Sequence, residues 1–223
     1  MKKITAVIPV RKGSQRVIGK NLKPFGDTSL LEFKIRNLKK VKLINEIIVN
    51  TDWDQAIDIA RSLGVNYHDR DPYYASSEVT ASDLFEHLGK VTNTDYFAYC
   101  PSTSPFVSIE TMENAIKIFL ESKSFDSVTT VTKVKEFLWL DGKPINYEPS
   151  NCPNSQDLPN IQSLNYGFTI VDREVLVKKR SIIGETPFFL ETKGIETVDI
   201  DTPLDFLIAE QIYSLYLQGI VKI

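Results

Sequence analysis

Residues Ile4–Val10 form an apolar run rich in β-branched side chains, and it stops at a loop, Val10–Asn21, carrying Arg11, Lys12, Gly13, Ser14, Arg16, Gly19 and Lys20. A short apolar run without alternation reads as a strand buried on both faces, as in a parallel sheet. Parallel strands need a crossover between them, usually a helix. The chain supplies these crossovers in turn. Ser29–Lys40 carries a helical stripe (Leu30, Leu31, Phe33, Ile35, Leu38) with Ser29 or Thr28 able to cap it. Glu46–Thr51 reads as a second strand, Asp54–Leu63 as a helix ended by Gly64, and Val65–His68 as a third strand.

The alternation continues with a helix over Val79–Lys90, a strand at Tyr96–Cys100, a Pro-stiffened PSTSPF loop, a helix at Ser108–Glu121 and a strand at Ser127–Val134. It then breaks. Phe137–Ile145 reads as a hairpin turning at Asp141-Gly142, followed by an Asn- and Pro-rich loop over Asn146–Ser155. Asn165–Val171 is expected to return to the main sheet, Ile195–Ile200 to be a strand, and Pro203–Leu217 a helix capped by Asp201 or Thr202. The predicted fold class is α/β, a doubly wound and mostly parallel sheet. One domain is expected over 1–223, with an insertion at 134–164 serving as a lid or dimerisation arm.

A net charge of −3 gives no general electrostatic reason to bind nucleic acid or an anionic membrane, so phosphate chemistry must use a local basic loop. The N-terminal apolar run is too short for a signal peptide, no stretch is long enough to span a bilayer, and the two cysteines have no CxxC spacing. A cytoplasmic protein is expected.

In a parallel α/β sheet, ligands sit at the carboxyl ends of strands. The Val10–Asn21 loop occupies that position. Its glycines let backbone amides approach a phosphate, Ser14 offers a hydroxyl, and Arg11, Arg16 and Lys20 neutralise charge. The loop is neither a P-loop nor a dinucleotide fingerprint: Gly13 and Gly19 are one residue too far apart, and Asn21 stands where Ser or Thr would ligate magnesium. A second candidate is Asp199-x-Asp201. In an extended segment the two carboxylates share a face, and a hard cation relieves their repulsion. Asp201 is also placed to cap the following helix. His68 and His87 read as structural, since no Ser–His–Asp order accompanies them. Tyr73 and Tyr74 suit either a base pocket or packing.

The strand followed by R-x-G-S-x-R-x-x-x-K-N (Arg11–Asn21) resembles the signature loop of the cytidylyltransferases that activate acylneuraminate and related nonulosonic acids. N-T-D at Asn50–Asp52 is similar to that family's S-T-D, Arg70–Asp83 to its R-P-x-x-L-A-x-D, and Thr103–Phe106 to its T-S-P-L-R. QDLP (Gln156–Pro159), Asn165, Phe188-Phe189 and Val198–Phe206 resemble later segments in the family's order.

The resemblance implies a Rossmann-like nucleotidyltransferase fold, a homodimer, and Mg²⁺ bridging Asp199, Asp201 and the triphosphate of CTP. It implies a cytidine pocket from Asn21, Arg70 and the Ser76–Ser82 region, and acceptor contacts from Thr103, Ser104, Gln156, Asn165, Phe188 and Phe189. The expected reaction is transfer of CMP from CTP to an acidic sugar. Arg11 and Lys20 hold the phosphates, Ser14 offers a phosphate oxygen its hydroxyl or N–H, and Asp201 completes the catalytic set.

The acceptor half departs from the pattern. Pro101 or Ser102 replaces a glutamine, Val107 and Ser155 arginines, and N-G-A is Asn165-Tyr166-Gly167, while in the basic loop Gln15 stands where the family has a second lysine. Lys133, Lys135 or Lys143 are candidates to restore the missing charge. The departures keep two further expectations open: a nucleotidyltransferase for a sugar phosphate, polyol phosphate or phosphonate, and a non-catalytic nucleotide-binding protein of the same fold.

Overall fold

Ser29, Thr80, Ser108, Asp172 and Thr202 each accept a backbone N–H from the first turn of the helix that follows, so most crossovers start at a polar cap. The computed structural model describes residues 2–14 and 16–222. In chain order the elements are β1 (Ile4–Val10), β2 (Pro24–Phe25), β3 (Thr28–Ser29), α1 (Leu30–Leu38), β4 (Glu46–Thr51), α2 (Asp54–Ser62), β5 (Asn66–Asp69), α3 (Ala81–Val91), β6 (Tyr96–Tyr99), α4 (Ile109–Glu121) and β7 (Ser127–Val134). They continue with β8 (Trp139–Leu140), β9 (Lys143–Pro144), β10 (Ile161–Asp172), α5 (Arg173–Lys179), β11 (Pro187–Glu191) and α6 (Pro203–Leu217).

Seven strands form one sheet in the order β11-β7-β10-β6-β1-β4-β5, with β10 antiparallel to both neighbours and the other pairings parallel. Alternation along β1 sends Ile4, Ala6, Ile8 and Val10 into the core that includes Leu31, Ile35, Met112 and Ile116 of α1 and α4. Val7 points the other way, to Leu88 of α3 and Leu176 of α5. The sheet is therefore covered on both faces, which is why its central strands carry few polar residues. A third core, built around Phe25, Phe33, Phe106, Ile200 and Phe206, is closed by α6.

The chain runs outward from β1 through β4 to β5, then restarts at β6 on the other side of β1. That reversal opens a crevice at the carboxyl ends of β1 and β6.

One expected strand is corrected. Ile195–Ile200 does not join the sheet: Gly194–Thr197 is a 3₁₀ turn, and the segment after it is held by Ile200 N–H donating to the Thr103 carbonyl at 2.9 Å. Its apolar residues Ile195, Val198 and Ile200 pack the core beneath α6 instead of pairing. The strand beside β7 is β11, earlier in the chain and beginning with Pro187, as an edge strand permits.

The hairpin forms as expected, with Asp141 at φ 50° and Gly142 at φ 77°, both left-handed as a two-residue turn requires. Val134 pairs with Ile161, and Val131 with Leu164, so the excursion from the sheet covers 135–160. It exposes Phe137, Trp139, Leu140 and Ile145.

Candidate functional site

A cleft opens at the carboxyl ends of β1 and β6. Arg11, Ser14, Arg16, Lys20 and Asn21 line it from the basic loop, Arg70 from beyond β5, Thr103 from the PSTSPF loop, and Asp201 from the segment before α6. Tyr99, Pro101 and Ser102 at the end of β6 and Leu84 of α3 complete the wall.

The loop is bent by Gly19, whose φ of 63° a β-carbon would strain, and whose carbonyl accepts from the N–H groups of Leu22 and Lys23 at 2.9 Å. Asp52 of the N-T-D segment anchors the near end, its Oδ1 accepting from Lys12 N–H at 3.0 Å. Asn21 is buried, and its Oδ1 accepts from Ser102 Oγ at 2.8 Å, joining the basic loop to the end of β6.

Thr202 and Asp205 form the capping box of α6, with the Asp205 carboxylate accepting from the N–H groups of both Asp201 and Thr202. Asp201 is thereby released from capping. Its carboxylate faces Arg16 at 3.1 Å and Lys20 at 3.8 Å. The Lys20 ammonium also donates to the Ile200 carbonyl. Burial pulls the Lys20 pKa down, with Asp201 and Asp199 opposing.

Asp199 does not line the cleft itself; it accepts from Ser104 Oγ at 3.2 Å behind it. Partial desolvation raises its pKa, Thr103 opposes by hydrogen bonding, and the neighbouring Asp201 adds to the rise. Ser104 in turn offers its carbonyl to the ammonium of Lys34, a lysine fully buried beneath the cleft.

Other expected residues lie elsewhere. Gly13 is exposed beside the cleft, and Gln15 lies outside the described residues. Ser76 turns to the Glu78 N–H, and Ser82 is exposed on α3. Tyr74 stacks on His87 at 3.8 Å, away from the cleft wall. Gln156 is exposed, and its carbonyl and that of Leu158 accept from Lys135, so this lysine holds the 135–160 excursion.

Asn165 is spent on the fold. Its Nδ2 donates to Thr132 and Thr192, and its Oδ1 accepts from Thr130 and Gly167, pinning the irregular register of β10 against β7 and tying it to the end of β11. Beside it Tyr166 has φ 52°, a left-handed conformation uncommon for an aromatic residue and natural for the glycine of N-G-A. Phe188 packs on Phe125 and Phe189 is exposed, both on β11 and outside the cleft lining.

Tyr99 and Ser102 were not anticipated. Their signal was positional: both lie where β6 ends beside β1, a neighbourhood the sequence does not state.

Fold and crevice together define an α/β protein of the nucleotidyltransferase kind. The chain belongs to the cytidylyltransferase family, whose sequence profile matches residues 5–141. It is 26% identical to an N-acylneuraminate cytidylyltransferase of Oncorhynchus mykiss over 93% of this chain and 50% of that protein. It is 28% identical to a CMP-N,N'-diacetyllegionaminic acid synthase of Legionella pneumophila over 98% of this chain and 100% of that protein. The chain thus spans about half the length of the vertebrate relatives it matches. A solved structure of CMP:2-keto-3-deoxy-manno-octonic acid synthetase with CTP superposes with a TM-score of 0.67 at 16% identity, covering 97% of this chain and 99% of that one, a likeness of fold.

Proposed function

We propose that this chain transfers CMP from CTP to an acidic sugar of the nonulosonic or 3-deoxy-ulosonic type, releasing pyrophosphate. The observation that carries the reading is Asp201, freed from capping and facing Arg16 and Lys20 across the crevice. A magnesium triphosphate would satisfy both halves of that charge set: Arg16 and Lys20 would hold the phosphates and Asp201 the metal, with Asp199 behind it.

The donor set fits Mg²⁺. Among the described residues no group of three or more His, Cys, Asp or Glu side chains is placed to hold a metal. Two aspartates and substrate phosphates are the usual magnesium arrangement in phosphoryl-transfer sites. Asp199, whose charge is disfavoured by desolvation and by Asp201, would be stabilised in its charged form by a nearby cation. When bound, the metal supplies neutralisation of the triphosphate.

The chain's own residues do the positioning. Arg11 and Lys20 hold the phosphates, Ser14 adds a hydroxyl or N–H donor to them, and Asn21 and Arg70 take the cytidine. Held so, the α-phosphorus is presented in line to an acceptor hydroxyl. The hydroxyl oxygen bonds to phosphorus and gives up its proton to solvent water, the bond from phosphorus to the bridging oxygen breaks, and pyrophosphate leaves. The names of the relatives from Oncorhynchus and Legionella, both acidic-sugar enzymes, support the acceptor class.

A second acceptor class, a sugar phosphate, polyol phosphate or phosphonate, is favoured by one observation: the expected acceptor arginines are absent, and Lys135 is engaged within the excursion. Dimerisation through the exposed apolar hairpin belongs to the same proposal. So does a cytoplasmic setting, which two free cysteines and a CTP substrate suit.

The test is pyrophosphate release with each of the four nucleoside triphosphates, with and without Mg²⁺, against acidic sugars and phosphorylated acceptors. Release with CTP and an acidic sugar supports the reading. Release only with phosphorylated acceptors establishes the second class, and no release with any pair overturns both.

A further inference from the structure

Arg70 is almost wholly buried, yet it lines the crevice. Its position is set from β4. Nε donates to Asn50 Oδ1, and a second guanidinium nitrogen donates to the Asn50 backbone carbonyl at 2.6 Å. One edge of the guanidinium is therefore held by a single residue. The remaining nitrogen, Nη1, has no hydrogen-bond partner among the described residues and belongs to the side chain that walls the crevice.

Asn50 is itself oriented. It lies opposite His68 in the parallel register of β4 and β5, so the two side chains stand side by side on one face of the sheet. Because Asn50 Oδ1 accepts from Arg70, its Nδ2 is the group that meets His68 Nδ1, at 3.1 Å. His68 Nδ1 must then accept, which makes the imidazole neutral with its proton on Nε2.

We propose that Asn50 is the positioning residue that presents Arg70 to the cytosine of CTP, and that neutral His68 fixes the Asn50 amide in the orientation this needs. The proposal rests on the cytidylyltransferase reading. It also gives a role to the asparagine that stands where the resembling family segment has serine.

Protonating His68 places a donor against the Asn50 Nδ2 and a second cation beside Arg70. The surroundings resist that. Burial pulls the His68 pKa below the ordinary imidazole value, Arg70 adds to the fall, and Asp69 opposes it. From α3, His87 faces His68 at 5.7 Å between ring centroids. Burial brings His87 down to about 4, helped by His68, Arg70 and Lys90 and opposed by Asp71, while Tyr74 stacks on its other side. His68 is thus neutral at pH 7, and the arrangement loosens only in acid.

The experiment measures CTP binding by calorimetry and steady-state kinetics from pH 5 to pH 8. Asn50→Ala is expected to weaken CTP binding about ten- to a hundredfold, the range for losing hydrogen bonds to a charged group, with a much smaller change in kcat. Asn50→Asp keeps the acceptor for Arg70 and accepts from either form of His68. It should bind CTP within a few-fold of wild type at pH 8 and lose the acid-side weakening. His68→Gln, which always offers an acceptor, should flatten the acid limb too.

Wild-type binding in Asn50→Ala, with Arg70→Ala weakened, overturns the positioning role alone. An acid limb that persists unchanged in His68→Gln overturns the His68 coupling. Arg70→Ala binding CTP as tightly as wild type overturns the cytidine-pocket reading itself, a result distinguishable from the other two. Asn50→Asp and His68→Gln are the conservative variants if Asn50→Ala does not fold.

Discussion

Lys34 sits on α1 with its ammonium beneath the crevice, fully buried and donating to the Ser104 carbonyl at 2.5 Å. Burial lowers its pKa from 10.5 to about 8, with Cys100 and Asp199 pulling the other way. The sign of the stability effect follows. Between about pH 8 and pH 10.5 the unfolded chain binds more protons at this lysine than the folded chain does, so its contribution to stability improves as pH rises through that window. Below about pH 8 the full cost of the buried charge is carried. The gap between 10.5 and about 8, at about 1.4 kcal/mol per tenfold, is worth about 3 kcal/mol.

Lys34→Met keeps the volume and removes the titration. Urea unfolding of wild type and Lys34→Met at pH 7.5, 8.5, 9.5 and 10.5 should show wild type gaining about 3 kcal/mol relative to the variant across the series. Cys100, whose thiol burial pushes up to about 12, titrates in the opposite sense above pH 9, so the pair is also compared in a Cys100→Ala background. A stability difference constant within about 0.5 kcal/mol in that background would refute the assignment of a buried, pKa-shifted lysine.

Asp201→Asn should abolish pyrophosphate release while leaving the urea midpoint near wild type, because Thr202 and Asp205, and not Asp201, cap α6; retained turnover would remove Asp201 from the phosphate-transfer site. Asn165→Ala strips four hydrogen bonds from the junction of β7, β10 and β11 and should cost about 2–4 kcal/mol of unfolding free energy, read by urea denaturation. Thr202→Ala should cost about 1 kcal/mol by the same measurement, the worth of a helix cap. Shortening the 135–160 excursion to remove Phe137–Ile145 should convert a dimer to a monomer in sedimentation; an unchanged dimer would exclude the hairpin as the interface.

Much of the framework was legible along the chain. β1, β4, β7 and α6 begin and end as read, and for β1 and α6 a strong local signal marks the boundary: a basic glycine loop after β1, and a Thr202 cap with Pro203 in the first turn of α6. The basic loop and Asp201 were legible for the same reason, being short motifs at predicted strand and helix ends. Local signals failed at 187–200. Ile195, Val198 and Ile200 have strand-like composition, yet they fill the core beneath α6, while the pairing beside β7 went to Pro187–Glu191. Which of two β-rich segments pairs is settled by the partner strand and the core that each can reach, and neither is a property of the segment alone.

The crevice divides along the same line. The chain's linear order put Arg11, Lys20 and Asp201 on the page as charges suited to phosphate and metal, and it raised Asn165 and Lys135 as acceptor candidates. The tertiary structure turned Asn165 inward, where four partners hold it, and tied Lys135 to the carbonyls of Gln156 and Leu158. It also set Asn50 against Arg70 across two strands, joined Ser102 to Asn21, and buried Lys34 under Ser104. Residue type announces what a side chain is able to donate, accept or neutralise. Which partner it meets depends on strand order and register, set by burial summed over the whole chain.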